Sequence, residues 1–295
     1  ARFRDLVKLS SDLYWEQDEN FRFTHFDGPT ELRRQLPLDR VLGHTRWEAQ
    51  DITGVHERKW KEHIARLDAH LPFQDFVYQI HGANEGMYWL SVSGNPLFDD
   101  AGIFIGYHGT ATDITLRIES EERFRHLAYH DTLTRLPNRR LLTDRLDQAI
   151  RSASRKGGRI ALLLLDLDGF KQINDRHGHA AGDRVLEAVA ARLSQAVREA
   201  DTVARMGGDE FVILLSEVGH VDDAVRVADK IHDSICEPIA DGSALHTVGT
   251  SIGITVFPDH GETPDALLHR ADHAMYHGKT RGGKTTRVYD AGSLN

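Results

Sequence analysis

The chain has 295 residues, 40% of them hydrophobic and 27% charged, with a formal net charge of −9. That is enough chain for two ordinary domains, and the composition is globular rather than fibrous or disordered. The acidic balance argues against a nucleic-acid partner, the single cysteine (Cys236) permits no intrachain disulfide, and no run approaches the ~18 apolar residues of a membrane span. A reducing, cytoplasmic setting is expected. An upstream membrane segment stays open, because the chain starts at Ala1 rather than Met.

All four tryptophans (Trp15, Trp47, Trp60, Trp89) lie in the first third of the chain. Residues 55–69 read as a helix with Trp60, Ile64 and Leu67 on one side. Met87-Tyr88-Trp89-Leu90-Ser91-Val92-Ser93 alternates like a strand and is expected to stop at Gly94-Asn95-Pro96. Asp99-Asp100-Ala101-Gly102 reads as a hairpin turn before Ile103–Tyr107. This half resembles a PAS domain. The resemblance is carried by Asp12-Leu13-Tyr14-Trp15-Glu16-Gln17-Asp18 at its start and by Gly106–Thr115 at its end, which closes on Asp113-Ile114-Thr115. It implies an antiparallel sheet with flanking helices over residues 1–116, serving as sensor or dimerisation domain. What such a domain would bind is open. The absence of cysteine from this half argues against a cysteinyl-flavin, and haem would need an axial ligand such as His56, His63 or His70.

Residues 117–129 suit a short signalling helix, with Phe124 and Leu127 among many charges. Beyond residue 130, helix and strand periods alternate. Leu141, Leu142, Leu146 and Ile150 share a helical face that Gly157-Gly158 ends. Arg159 to Leu165 is an aliphatic run suited to a buried central strand. Val185, Leu186, Val189, Leu193 and Val197 make another amphipathic helix. Thr202-Val203-Ala204 and Phe211–Leu215 flank a tight turn with two acids at its tip, Gly207-Gly208-Asp209-Glu210. Residues 247–257 read as a strand, and Thr263-Pro264 starts a helix to about Gly278. Mixed periods of this kind predict an α/β (α+β) domain around one central sheet.

The acids at the turn and at Asp166-Leu167-Asp168 end two buried-looking strands, the pattern of a Mg²⁺-dependent phosphate site. Met206-Gly207-Gly208-Asp209-Glu210-Phe211 resembles the signature of the GGDEF family, the diguanylate cyclases. Further motifs follow that family's order. They are Asp131–Arg140, Asp166-Leu167-Asp168-Gly169-Phe170-Lys171-Gln172-Ile173-Asn174-Asp175, Gly178–Asp183, Ser251–Ile254 and Ala271–Tyr276. The likeness covers about residues 127–290, with the cyclase domain itself expected over 130–290, and implies a nucleotidyl-cyclase or palm-like central sheet with surrounding helices.

The resemblance also implies a reaction and roles. Two GTP would condense into cyclic di-GMP and two pyrophosphates, across a homodimer, with two Mg²⁺ (or Mn²⁺) per active site. Asp166, Asp209 and Glu210 would be catalytic, and the same three with the Leu167 carbonyl would hold metal. Gly169, Phe170 and Lys171 lie where first-turn N–H groups hold phosphate, and Gly207 and Gly208 let substrate approach the turn. Asn174 and Asp183 would read guanine, and Lys279 would contact the triphosphate. Arg198 and Asp201 match an Arg-x-x-Asp site at which cyclic di-GMP inhibits. One departure stands out: Gly282-Gly283-Lys284 replaces the family's usual Gly-Arg-Asn. It motivates an alternative, a catalytically weak module that binds GTP or cyclic di-GMP to regulate a phosphodiesterase domain or partner.

Overall fold

The computed structural model describes residues 12–49, 58–83, 86–242, 244–279 and 285–290. The chain divides into two units, one ending at Arg123 and the other starting at Phe124. Among the described residues no helix is long and apolar enough to cross a membrane.

The first unit is built on five strands: β1 (Leu13–Gln17), β2 (Phe23–Asp27), β3 (Phe73–His81), β4 (Met87–Phe98) and β5 (Phe104–Asp113). They form one antiparallel sheet in the order β2-β1-β5-β4-β3. Helices α1 (Thr30–Gln35), α2 (Leu38–Val41) and α3 (Arg58–Asp68) connect β2 to β3. The expected Trp60, Ile64 and Leu67 face of α3 is rotated slightly. Trp60, His63 and Leu67 are buried, while Ile64 is only half-buried. Strand β4 runs on through Gly94-Asn95-Pro96, where a stop was expected. Gly94 is there for packing: a Cβ would sit 2.6 Å from the Trp15 ring and 2.8 Å from Phe73. The hairpin at Asp99 forms as expected, its carboxylate accepting from the N–H groups of Ala101 and Ile103.

Helix α4 (Thr115–Tyr129) carries the chain across the division between the units. The second unit continues with α5 (Arg139–Lys156), β6 (Ile160–Asp168), α6 (Phe170–His177), α7 (His179–Ala196), β7 (Thr202–Gly207), β8 (Glu210–Leu215) and α8 (Val221–Cys236). It ends with β9 (Ile239–Asp241), β10 (Ala244–His246), β11 (Gly249–Phe257), α9 (Pro264–Lys279) and β12 (Thr286–Val288). The main sheet has the order β12-β11-β6-β8-β7, and β9 and β10 make a separate hairpin.

Strand β6 explains its own composition. Alternate side chains serve two cores, so every residue from Ile160 to Leu165 must be apolar. Ala161, Leu163 and Leu165 pack with α7 and α8 through Val185, Val189, Ala228 and Ile231. Leu162 and Leu164 pack with α5 and α9 through Leu142, Leu146, Leu267 and Met275. Each such leucine contributes about 1.5–3 kcal/mol by burial. Local signals fix the helix ends. Asn138 caps α5 by accepting from the N–H groups of Arg140 and Leu141, and Gly157 ends it in the left-handed conformation. The Thr263 hydroxyl accepts from Ala266 N–H at the start of α9.

Candidate active site

Strand pairing puts the acids together. Asp166, near the end of β6, lies opposite Glu210, the first residue of β8, and opposite Ser251 of β11 on its other side. The β7–β8 turn folds its tip back onto β6, where the Leu167 N–H donates to the Asp209 carbonyl at 3.3 Å. Gly207 and Gly208, at φ 142° and 54°, give this turn a backbone that other residues rarely adopt.

An arginine that the sequence motifs left unassigned holds the turn. Arg205 donates through Nε and Nη2 to the Gly208 carbonyl, at 3.0 and 2.7 Å. Its Nη1 donates to Asp131 Oδ1 at 2.9 Å, and its backbone N–H donates to the Pro137 carbonyl. The Thr134 N–H and hydroxyl donate to the same Asp131 oxygen. Burial raises the Asp131 pKa, but Thr134 and Arg205 outweigh it and hold the carboxyl below its usual range. The motif at Asp131–Asn138 therefore braces the acidic turn.

The carboxylates repel one another. Burial raises the Asp209 pKa, and the charge on Asp166 raises it further. Burial also lifts Glu210, with Asp166, Asp272 and Asp209 adding to the effect. Lys279 supplies one counter-charge, its Nζ lying 2.5 Å from Asp166 Oδ1. It was expected at a triphosphate, and here it partners the strand-end acid. Asp168 has a different task, accepting from the Ser251 hydroxyl with both oxygens and tying β6 to β11.

The donor set suits a hard divalent cation. Mg²⁺ sites commonly use one or two carboxylates and leave other positions to water and substrate phosphates. Among the described residues no three His, Cys, Asp or Glu side chains converge as a metal cage. The candidate ligands, the Asp166, Asp209 and Glu210 carboxylates and the Leu167 carbonyl, do not make such a cage by themselves, and a cation would relieve the repulsion among the three acids.

Gly169 caps α6 at φ 85° and leads into its first turn. The Phe170 side chain is buried in the core, so only its N–H can face a ligand, and Lys171 is exposed. Asn174, on α6, packs against α7, where a Cβ on Gly182 would fall 2.0 Å from Asn174 Oδ1. Asp183 follows directly and is exposed. Gly282, Gly283 and Lys284 lie outside the described residues.

A second polar site lies at the other end of the β7–β8 pair. Asp201 accepts from the Arg198 N–H with one oxygen and from Ser216 with the other. A cleft of about 580 Å³ opens beside it, lined by Arg198, Asp201, Glu217, Arg226 and Lys230 among others. Arg226 and Lys230 come from α8 and share one face at i,i+4 spacing, the only signal by which sequence could have found them.

Of the histidines raised as axial ligands, His56 lies outside the described residues. His63 stacks on Phe76 at 3.8 Å and meets Phe73 edge-on at 4.6 Å, and burial lowers its pKa to about 3. His70 stacks on Phe104 at 3.8 Å.

Residues 128–285, just over half of the chain, match the family described as "Diguanylate cyclase, GGDEF domain". The chain belongs to the GGDEF family. The diguanylate cyclase TpbB of Pseudomonas aeruginosa is 48% identical over 165 residues, which are 55% of this chain and 38% of that protein. The chain thus matches well under half the length of that curated relative. A solved structure comprising only the GGDEF domain of TpbB is 45% identical and aligns with a TM-score of 0.54, covering 55% of this chain and 94% of that one. The coiled coil and GGDEF domain of DgcB from Caulobacter crescentus, solved in complex with c-di-GMP, is 29% identical with a TM-score of 0.53. That match covers 59% of this chain and 91% of the other. The GGDEF unit is therefore a mixed α/β domain of known fold, carried behind an N-terminal antiparallel sheet.

Proposed function

We propose that the GGDEF unit condenses two GTP into cyclic di-GMP and two pyrophosphates. In each of two equivalent steps, a 3′-hydroxyl of one GTP attacks the α-phosphate of the other. The P–O bond to the pyrophosphate leaving group breaks, and the hydroxyl proton passes to a carboxylate or to water. Glu210 suits proton acceptance, since burial and its acidic neighbours raise its pKa. Asp166, Asp209, Glu210 and the Leu167 carbonyl would hold Mg²⁺ or Mn²⁺, which would neutralise phosphate charge and acidify the attacking hydroxyl. First-turn N–H groups at Gly169, Phe170 and Lys171 orient phosphate oxygens. Gly207 and Gly208 leave the turn open to substrate. Asp183 accepts from the guanine N1–H and N2 amino group, Asn174 meets another part of the base edge, and Lys279 places a cation beside the triphosphate.

The observation that carries this reading is the pairing of Asp166 with Glu210, beneath a turn that presents Asp209. The cleft at Arg198 and Asp201 supports product binding there, with Arg226 and Lys230 adding positive charge for phosphate. The N-terminal five-stranded sheet with its helices supports a PAS-like sensor over residues 1–116. Residues 117–129 then act as a signalling helix, and the cyclase domain spans 130–290.

The test is incubation of product-stripped protein with GTP and Mg²⁺, followed by mass-resolved chromatography. Cyclic di-GMP is expected, and Asp209→Ala should abolish it. Full activity in that variant would overturn the site assignment. The replacement of the family's arginine by Gly283 favours a second reading, a regulatory module that binds GTP without turnover. Saturable GTP binding with no product would establish it.

A further inference from the structure

Helices α6 and α7 carry Asn174 and Asp183, the two residues assigned to guanine, and a third element touches both helices. The hairpin of β9 and β10 stands apart from the main sheet. A two-stranded hairpin is marginal by itself, so its contacts must hold it. Arg184, next to Asp183 on α7, forks onto Asp241 at the end of β9, with Nε 2.5 Å from Oδ1 and Nη2 2.6 Å from Oδ2. Two parallel charge-assisted bonds fix orientation as well as distance. Further along α7, Arg192 donates to the carbonyls of Ile235, Glu237 and Pro238, where the chain enters the hairpin. The hairpin is thus strapped to α7 at two points.

The same carboxylate reaches towards α6. The Arg184 hydrogen bond holds the Asp241 carboxyl below its usual range, so it is ionised and only accepts. His246, at the end of β10, donates to it from Nε2 at 3.3 Å, and the His246 side chain is only 3% exposed. Its ring meets that of His177 edge-on at 4.7 Å. His177 is the last residue of α6, one turn beyond Asn174. Contacts therefore run from α7 through Arg184, Asp241, His246 and His177 to α6. Arg184 is half exposed, and an ion pair of that kind stabilises a fold little. What a bidentate pair does supply is placement.

We propose that the β9–β10 hairpin, through Arg184, Asp241 and His246, positions Asp183 and Asn174 for guanine and so sets the preference of the site for that base. This rests on the reading of those two residues as the base contacts. The geometry required is narrow: Asp183 must meet the N1–H and the N2 amino group together, and binding constellations tolerate only about 0.5 Å of misplacement. Hypoxanthine lacks the N2 amino group and offers Asp183 one donor rather than two. Loss of the clamp should then cost guanine more than hypoxanthine.

The full chain is titrated with 3′-deoxy-GTP and with 3′-deoxy-ITP in the presence of Mg²⁺. Neither carries the attacking hydroxyl, so binding is read without turnover. The parent should favour the guanine nucleotide by about tenfold, the worth of one hydrogen bond. Asp183→Ala should remove that preference. Arg184→Met and Asp241→Ala should cut it to about twofold or less, chiefly by weakening 3′-deoxy-GTP. Arg184→Lys keeps the charge and loses the fork, so it should fall between, and it decides the matter if the other two variants do not fold. Leu245→Ser, on the exposed face of the same hairpin, should leave the ratio unchanged. A merely structural strap would weaken both nucleotides alike and keep the ratio. A parent without preference, or a preference kept in Asp183→Ala, would overturn the guanine assignment and the clamp with it. A preference lost in Asp183→Ala but kept in the Arg184 and Asp241 variants would overturn the clamp alone.

Discussion

At the scale of single residues, the acidic turn trades stability for chemistry. The pKa values of Asp209 and Glu210 are raised, so the folded state binds protons more tightly than the unfolded chain. Their contribution to stability is present at low pH and lost as pH rises through the raised values. Asp209→Asn should therefore melt higher than the parent at pH 8 without metal, while cyclase activity falls by at least about a hundredfold. Scanning calorimetry beside the product assay tests both. A variant that melts lower would show that the repulsion is not felt. His63 carries the opposite sign. Its folded pKa, about 3, lies below its unfolded value, so the buried ring stays neutral while the unfolded chain takes up a proton. Stability is full above about pH 6.5 and declines below it, by up to ~1.4 kcal/mol per pH unit. His63→Phe should flatten this dependence in denaturant titrations at pH 7.5 and 5.

At the scale of elements, two contacts position the site. Arg205 and Asp131 are 74 residues apart in sequence, and their side chains are 11% and 21% exposed. Arg205→Met leaves the Asp131 carboxylate with the Thr134 donors but no counter-charge, and frees the Gly208 carbonyl. A loss of about 3 kcal/mol in stability is expected, with kcat falling more than KM rises. The meeting of α6 and α7 makes a different forecast. The Gly182→Ala methyl would fall 2.0 Å from Asn174 Oδ1, 2.9 Å from its Cγ and 3.2 Å from the buried Phe170 ring, so the whole Asn174 side chain must move. The melting temperature should fall, and KM for GTP should rise about tenfold while kcat changes little. An unchanged KM would remove Asn174 from the base-recognition set.

These elements also show what sequence could reveal. Asp166, Gly207, Gly208, Asp209 and Glu210 were legible because each local run carries its own chemistry: strand, turn, acids. The two-faced burial of β6 was legible as an unbroken aliphatic run. Arg205 and Asp131 were not, since their contact depends on how the β7–β8 turn and the segment before α5 come together. Arg46, only 1% exposed and donating to the Tyr78 hydroxyl, was hidden more deeply. Nothing in Gly43-His44-Thr45-Arg46-Trp47 distinguishes a buried fork from a surface arginine. The strand through Gly94 and Pro96 was misread because glycine and proline signal turns, whereas here a close aromatic approach selects the glycine.

At the scale of the whole molecule, the proposed reaction needs two nucleotides and each GGDEF unit offers one acidic site. Product formation should then be second order in chain wherever monomers predominate. Helix α4 offers a surface for pairing, with Leu116, Phe124 and Leu127 exposed at 80%, 72% and 45%. Specific activity should rise with protein concentration and level off where sedimentation shows dimer. Phe124→Glu with Leu127→Glu should shift that curve to higher concentration. Substitutions at such exposed positions usually alter stability by no more than ~0.5 kcal/mol, so the melting temperature should hold. The plateau rate should survive as well, because neither residue touches the acidic turn, Asn174 or Lys279. A specific activity that is flat across the monomer range would remove the dimer from the mechanism. A plateau lowered without any shift along the concentration axis would mean that α4 acts on the site by some route other than assembly.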